Sequence, residues 1–137
     1  YKDLNKLVLI TKDQRDKTAT IDAYSFDLTA KQFDTAKFFQ LPLKDILTKS
    51  EDFSSECKPS AAALHPVTNK LFIVASVGKL LLQCSPNGKL EKIYKLNPAH
   101  FPQPEGIAFA VNGDMYISNE GLNGKATILK FPYSGKK

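Results

Sequence analysis

Pro104-Glu105-Gly106-Ile107-Ala108-Phe109-Ala110-Val111-Asn112-Gly113-Asp114-Met115-Tyr116-Ile117-Ser118-Asn119 is the stretch that decides the fold. It reads as strand, tight turn, strand. Its flanks are aliphatic and aromatic, which suits strands packed on a core. Asn112-Gly113 is expected to form a two-residue hairpin turn with φ > 0 at both positions, matching the twist of the strands. From this hairpin the rest of the chain can be placed.

The same pattern occurs once upstream. With Pro59 placed under Pro104, Ala62 falls under Ile107 and Leu64 under Phe109. Across the turn, Leu71, Phe72 and Ile73 fall under Met115, Tyr116 and Ile117. The opening run Leu7-Val8-Leu9-Ile10 takes the place of Leu71-Phe72-Ile73-Val74. An offset of about 44–45 residues is in the range of four-stranded propeller blades. Near-continuous apolar runs fit too, because a blade is sandwiched between neighbours. The expectation is an all-β chain, a β-propeller arc of about three four-stranded antiparallel blades, with units at about 1–42, 58–97 and 103–133. The first unit lacks an innermost strand and the third an outermost one. Closed propellers have about four to eight blades. The chain is therefore read as a single partial propeller domain over 1–137.

The remaining segments follow in order. Thr18–Asp27 alternates, with Ile21, Ala23 and Ser25 facing one way and Tyr24 and Phe26 the other. Phe33–Leu41 reads as an outer strand. Leu43, Ile46 and Leu47 have helical spacing, so one short helix is expected near 43–49, with Pro42 at its start. Ser85-Pro86-Asn87-Gly88 suits a type I turn with a following bulge. Leu9, Ile73, Ile107, Phe109 and Ile117 are the expected core.

Composition sets outer limits. Of 137 residues, 42% are hydrophobic and 24% charged, as in a globular protein. No run reaches the roughly 18–20 apolar residues of a membrane span. The chain starts at Tyr1 without a methionine, so a mature product or a fragment is expected, and no compartment is read from it. The net charge of +5 invites a nucleic-acid reading, but Arg15 is the only arginine and the lysines are scattered. Lysine does not copy arginine's bidentate contacts to phosphate and guanine, so a solvated face is expected, with no nucleic-acid partner. Cys57 and Cys84 have no metal-ligand spacing, and Cys84 ends an apolar run as a small core residue. A disulfide between them has no support in the sequence.

The string KPSAAALHPVTNKLFIVASVGKLLLQCSPNGKLEKIYKLNPAHFPQPEGIAFAVNGDMYISNEG, closed by ILKFPY, resembles the SdiA-regulated, YjiK-like bacterial β-propellers over nearly the whole chain. Its PEGIAF…NG.MYISNEG part is the most telling, and related strings occur in NHL-repeat propellers. The resemblance implies the C-terminal half of a six-bladed fold in an exported or membrane-associated protein of the bacterial cell envelope, with a link to calcium.

In such a blade the innermost strand begins where the second strand ends. Glu105 then lies near Ser118, Asn119 and Glu120 at one mouth of the channel. The equivalent strand end in the first unit carries Thr11, Lys12 and Asp13; in the second it carries Ser60, Ala75 and Ser76. Glu105, Asn119 and Glu120 offer three or four oxygens to a hard cation such as Ca²⁺, which takes six to eight. A purely structural role also fits, with Glu105 capping backbone amides. No G-x-S-x-G elbow, H-E-x-x-H or P-loop is present. No residue is assigned as catalytic. His65, before Pro66, is expected to be exposed on the far side; His100 leads into Glu105 and either pairs with it or packs with Phe101 at a blade junction.

Two functions follow. One is a non-enzymatic envelope module that binds a ligand or partner, with Ca²⁺, at the channel mouth. The alternative is a hydrolase of phosphate or carboxylic esters using Glu105, Glu120, Lys12 and His100. In either case both flanks of a three-blade arc, near 7–10 and 127–131, are expected to be apolar. They would be covered by a second copy, as a homodimer of half-propellers, or by the missing N-terminal half.

Overall fold

The computed structural model describes residues 1–12, 20–50, 56–121 and 124–135. Three antiparallel sheets follow one another. The first contains β1 (Lys6–Ile10), β2 (Thr20–Asp27), and the short β3 (Gln32–Phe33) and β4 (Phe39–Pro42), both paired with β2. The second runs β5 (Lys58–Leu64), β6 (Leu71–Val77), β7 (Leu80–Cys84), β8 (Leu90–Lys95) in sequence order. The third contains β9 (Pro104–Phe109), β10 (Met115–Asn119) and β11 (Thr127–Phe131). Between the first two sheets lies α1 (Leu43–Ser50), the one α-helix among the described residues and the one expected near 43–49. The molecule is a three-blade β-propeller arc. Its first blade carries the outer strand in two pieces, where one continuous strand was expected.

The hydrophobic pattern decides how the sheets stack. Ile21, Ala23, Phe39 and Leu41 of the first sheet meet Leu71, Ile73, Leu80, Leu82 and Cys84 of the second, with Ile46 of α1 closing the cluster. Val74 and Leu81 leave the opposite face of the second sheet and meet Leu96, Phe101 and Ile117. The middle sheet is thus covered on both faces, which explains why β6 and β7 read as unbroken apolar runs. The alternation of Ile21, Ala23 and Ser25 against Tyr24 and Phe26 holds as expected.

Leu9 corrects the expected core. It is 48% exposed, because β1 alternates and its outer face has no neighbouring sheet among the described residues. Ile73 and Ile117 are fully buried, while Ile107 and Phe109 are half-buried. Cys57 and Cys84 are both buried and free.

The turns also differ in one place. At Asn112-Gly113 only Gly113 has positive φ, at 93°. The Gly113 N–H donates to Ala110 O (2.8 Å) and the Asp114 N–H to Asn112 Oδ1 (3.1 Å). This is a type I turn followed by a glycine, and Asn112 works through its side chain rather than by a left-handed backbone. The two-residue turn with both φ positive occurs instead at Gly78 (φ 90°) and Lys79 (φ 49°), between β6 and β7. Ser85–Gly88 forms the type I turn expected of it, closed by Gly88 N–H to Ser85 O at 3.0 Å.

His65 is the second correction. It is buried, 5% exposed, and sits among Phe72, Phe109 and Tyr133, with its ring 4.7 Å from the last two. Its Nδ1 accepts from the Val67 and Thr68 N–H groups at 3.2 Å. A histidine followed by proline at a strand end looks like an exposed turn residue. Here the side chain fills the seam between two blades and caps its own turn.

Candidate functional site at the strand ends of the third blade

β9 and β10 run antiparallel, so the start of one meets the end of the other: Pro104 pairs with Asn119 and Gly106 with Ser118. The register shifts between these pairs, leaving Glu105 as the extra residue of a β-bulge. A bulge re-aims the side chain it carries. The second blade repeats the device, with a shift between Pro59 and Ala61 that leaves Ser60 unpaired. Ser60 Oγ donates to Pro104 O (2.7 Å), tying the two innermost strands together across the blade boundary. A Cβ at Gly106 would meet the Ser118 hydroxyl, which would have to turn away.

One amide gathers the acidic residues. Gln103 Nε2 donates to Glu120 Oε2 at 2.8 Å and reaches Glu105 Oε1 at 3.4 Å. The Glu120 N–H donates to Gln103 O at 2.9 Å. Both carboxylates thus turn toward the same amide nitrogen. Asn119, the residue before Glu120, is buried. Its Nδ2 donates to His100 O (3.3 Å) and Thr127 Oγ1 (3.2 Å), while its Oδ1 is buried with no hydrogen-bond partner. A buried amide oxygen without a donor is costly, and native structures leave few of them.

Glu105 and Glu120 are thus brought together, with Asn119 at the same strand end. His100 contributes its backbone carbonyl; among the described residues no hydrogen bond joins it to Glu105. Lys12 follows β1 at the equivalent strand end of the first blade, is exposed, and makes no ion pair with either glutamate. Asp13 lies outside the described residues. No group of three His, Cys, Asp or Glu is assembled for a metal among the described residues, so a cation here would rest on the two glutamates and amide oxygens. On donor chemistry these residues fit a hard cation, because all of them are oxygens. Gln103 is the residue that sequence reading missed. It lies in the connection just before β9, where no periodicity marks it.

No family model matches the sequence, and no curated protein matches it. Among solved structures, the chain is similar to a luciferin-regenerating enzyme, with a TM-score of 0.62 and 16% identity. The match covers 97% of this chain and 43% of that chain, so this chain spans less than half of its length. At that identity the likeness speaks for the fold alone.

Proposed function

We propose that this chain is one arc of a bacterial β-propeller of the SdiA-regulated, YjiK-like kind, a non-enzymatic module of the cell envelope that takes a cation at its channel mouth, with Ca²⁺ the ligand best suited to the donors. The observation that carries this reading is the buried, partnerless Asn119 Oδ1 at the strand end where Gln103 gathers Glu105 and Glu120. The envelope and family parts rest on the resemblance of residues 58–121. Three protein oxygens, with water, would complete the six to eight that Ca²⁺ takes. A local acidic rim can attract a cation even on a chain of net charge +5, because nearby charges dominate the field at a cleft. Calorimetric titration with CaCl₂ tests it. The expected result is saturable heat and a raised thermal midpoint in the native sequence, both lost in Glu105→Gln. No heat and no shift would remove calcium from the proposal.

The second reading is the ester or phosphoester hydrolase. Paired carboxylates support it, as does the enzymatic name of the structural neighbour. A chromogenic ester and phosphoester panel, with and without divalent metal, separates the two. Activity lost in Glu105→Gln favours the enzyme, and silence across the panel favours the binding module.

A further inference from the structure

The turns opposite the candidate site lie at one end of the arc. Lys6 pairs with Asp27, Leu64 and Cys84 both pair with Leu71, and Phe109 pairs with Met115, so the turns after Asp27, Leu64, Cys84 and Phe109 open on that end. Contacts tie these turns side by side. The Leu28 N–H donates to Asn5 O at 3.1 Å and the Tyr1 hydroxyl to Pro86 O at 2.7 Å. A Cβ on Gly113 would lie 2.9 Å from the His65 ring. Three of the turns hold an aliphatic side chain out in water: Leu28 is 42% exposed, Val67 55% and Val111 93%. Val67 and Val111 stand four residues before Leu71 and Met115, so they occupy equivalent places in the repeat. Tight turns favour Gly, Pro, Asn, Asp and Ser, so folding gives no reason for a valine at either tip.

We propose that these turn tips dock this end of the arc on an anionic lipid surface, with Val67, Val111 and Leu28 entering the headgroup layer and Lys31 and Lys89 facing the lipid phosphates. The charges favour that occupant. Asp27 is turned to the Thr29 and Ala30 N–H groups at 2.8 Å, Asp114 pairs with Lys130, and Glu91 pairs with Lys70. Lys31 and Lys89 are exposed and make no ion pair among the described residues. Unpaired lysines near an anionic membrane surface are drawn to it. The spacing of the apolar groups also favours lipid over a protein. A protein interface needs a contiguous apolar core, whereas here single aliphatic tips on separate turns alternate with Thr68, Asn69 and Asn112. Separate aliphatic side chains among lysines can enter the boundary between headgroups and acyl chains one by one. This end lies away from Glu105 and Glu120, so the inference stands or falls apart from the cation reading.

The probes are vesicles of phosphatidylcholine with and without phosphatidylglycerol. The chain should sediment with the phosphatidylglycerol vesicles only, and less so as salt rises. Val67→Ser with Val111→Ser should weaken that binding by about tenfold or more, the worth of two aliphatic side chains leaving water. Lys31→Asn, which suits the left-handed φ of 54° there, together with Lys89→Gln should weaken it as well. The chain has no tryptophan, so Val111→Trp supplies a single reporter whose emission should move to the blue on the anionic vesicles. No binding to either vesicle overturns the proposal, as does equal binding to both. Binding that survives the two valine substitutions, or that leaves the reporter unshifted, would set another face against the lipid and overturns it. A blue shift that grows with protein concentration in the absence of vesicles would make a second copy the occupant, and overturns it too.

Discussion

His65 shows how one side chain can join local and tertiary structure. Burial holds its pKa below the ordinary histidine value, and its Nδ1 is occupied in accepting two backbone N–H groups. The neutral form is therefore the folded form. Above the ordinary histidine pKa both states are neutral and the contribution is complete. As pH falls below about 6.5, the unfolded chain takes up a proton that the folded chain resists, so stability is lost. Urea midpoints should drop between pH 7.5 and 5.5, and His65→Asn, which keeps an acceptor for the turn, should flatten that drop. An unchanged slope in the variant would assign it to another group. Asp114 acts in a lower window. The Lys130 ammonium at 2.8 Å and the Tyr133 N–H at 2.9 Å hold its carboxyl at about 2. Its contribution is present above the usual carboxylate range and fades as pH falls toward that value. Phe109, half-buried against His65 and Phe72, should cost about 2–3 kcal/mol as Phe109→Ala, below the ~3–5 kcal/mol of a fully enclosed ring. A denaturant titration reads it, and a loss under about 1 kcal/mol would place the ring outside the core.

At the level of strands, the β-bulges at Ser60 and Glu105 set the candidate site. Each lies near the start of an innermost strand, and each turns one polar side chain out of the ladder. The Ser60 hydroxyl donates to Pro104 O of the next blade at 2.7 Å, with Val74 O of its own blade at 3.2 Å, while Glu105 reaches Gln103. Ser60→Ala should weaken the seam by about 1 kcal/mol, the usual net worth of such a hydrogen bond, and leave an acceptor short of a partner. Gly106→Ala sets a Cβ against the Ser118 hydroxyl, which must rotate away, and should cost about 1 kcal/mol, the low end of overpacking. Pairing it with Ser118→Gly should restore most of that loss. If the double variant is no better than the single one, the collision is not the cause.

Among the described residues, the middle sheet is covered on both faces and the two outer sheets on one. On the outer face of the first sheet, Leu7 lies beside Phe26, Phe26 beside Phe33, and Leu9 beside Tyr24. Leu7, Leu9 and Phe33 are each about half exposed or more. The outer face of the third sheet carries Ile128, 72% exposed, but there Lys130 lies over the Tyr116 ring at 5.8 Å. The apolar flank is therefore concentrated on the first blade. Monomers rarely leave such ladders in water. We expect light scattering after size exclusion to give a mass above one copy at micromolar concentration, with Leu7→Glu and Leu9→Glu together returning a folded monomer. A monodisperse monomer of the native sequence would show that the arc needs no cover. No helix among the described residues is long and apolar enough to cross a membrane.

The sequence by itself determined the strand order, the helix after Pro42, the repeat and hence the propeller arc, because apolar period and turn chemistry are local signals. It also placed Glu105 beside Asn119 and Glu120, since antiparallel pairing follows from the hairpin. Only the tertiary structure decided what covered each face. Leu9 and Ile73 occupy equivalent places in the repeat, yet one is exposed and the other sealed, because burial depends on a neighbouring blade and not on the strand. The same holds for His65, which reads as a turn residue until Tyr133 and Phe109 close over it from the third blade. Gln103 reaches both glutamates because bulge and loop converge there, and convergence in space leaves no period in the sequence.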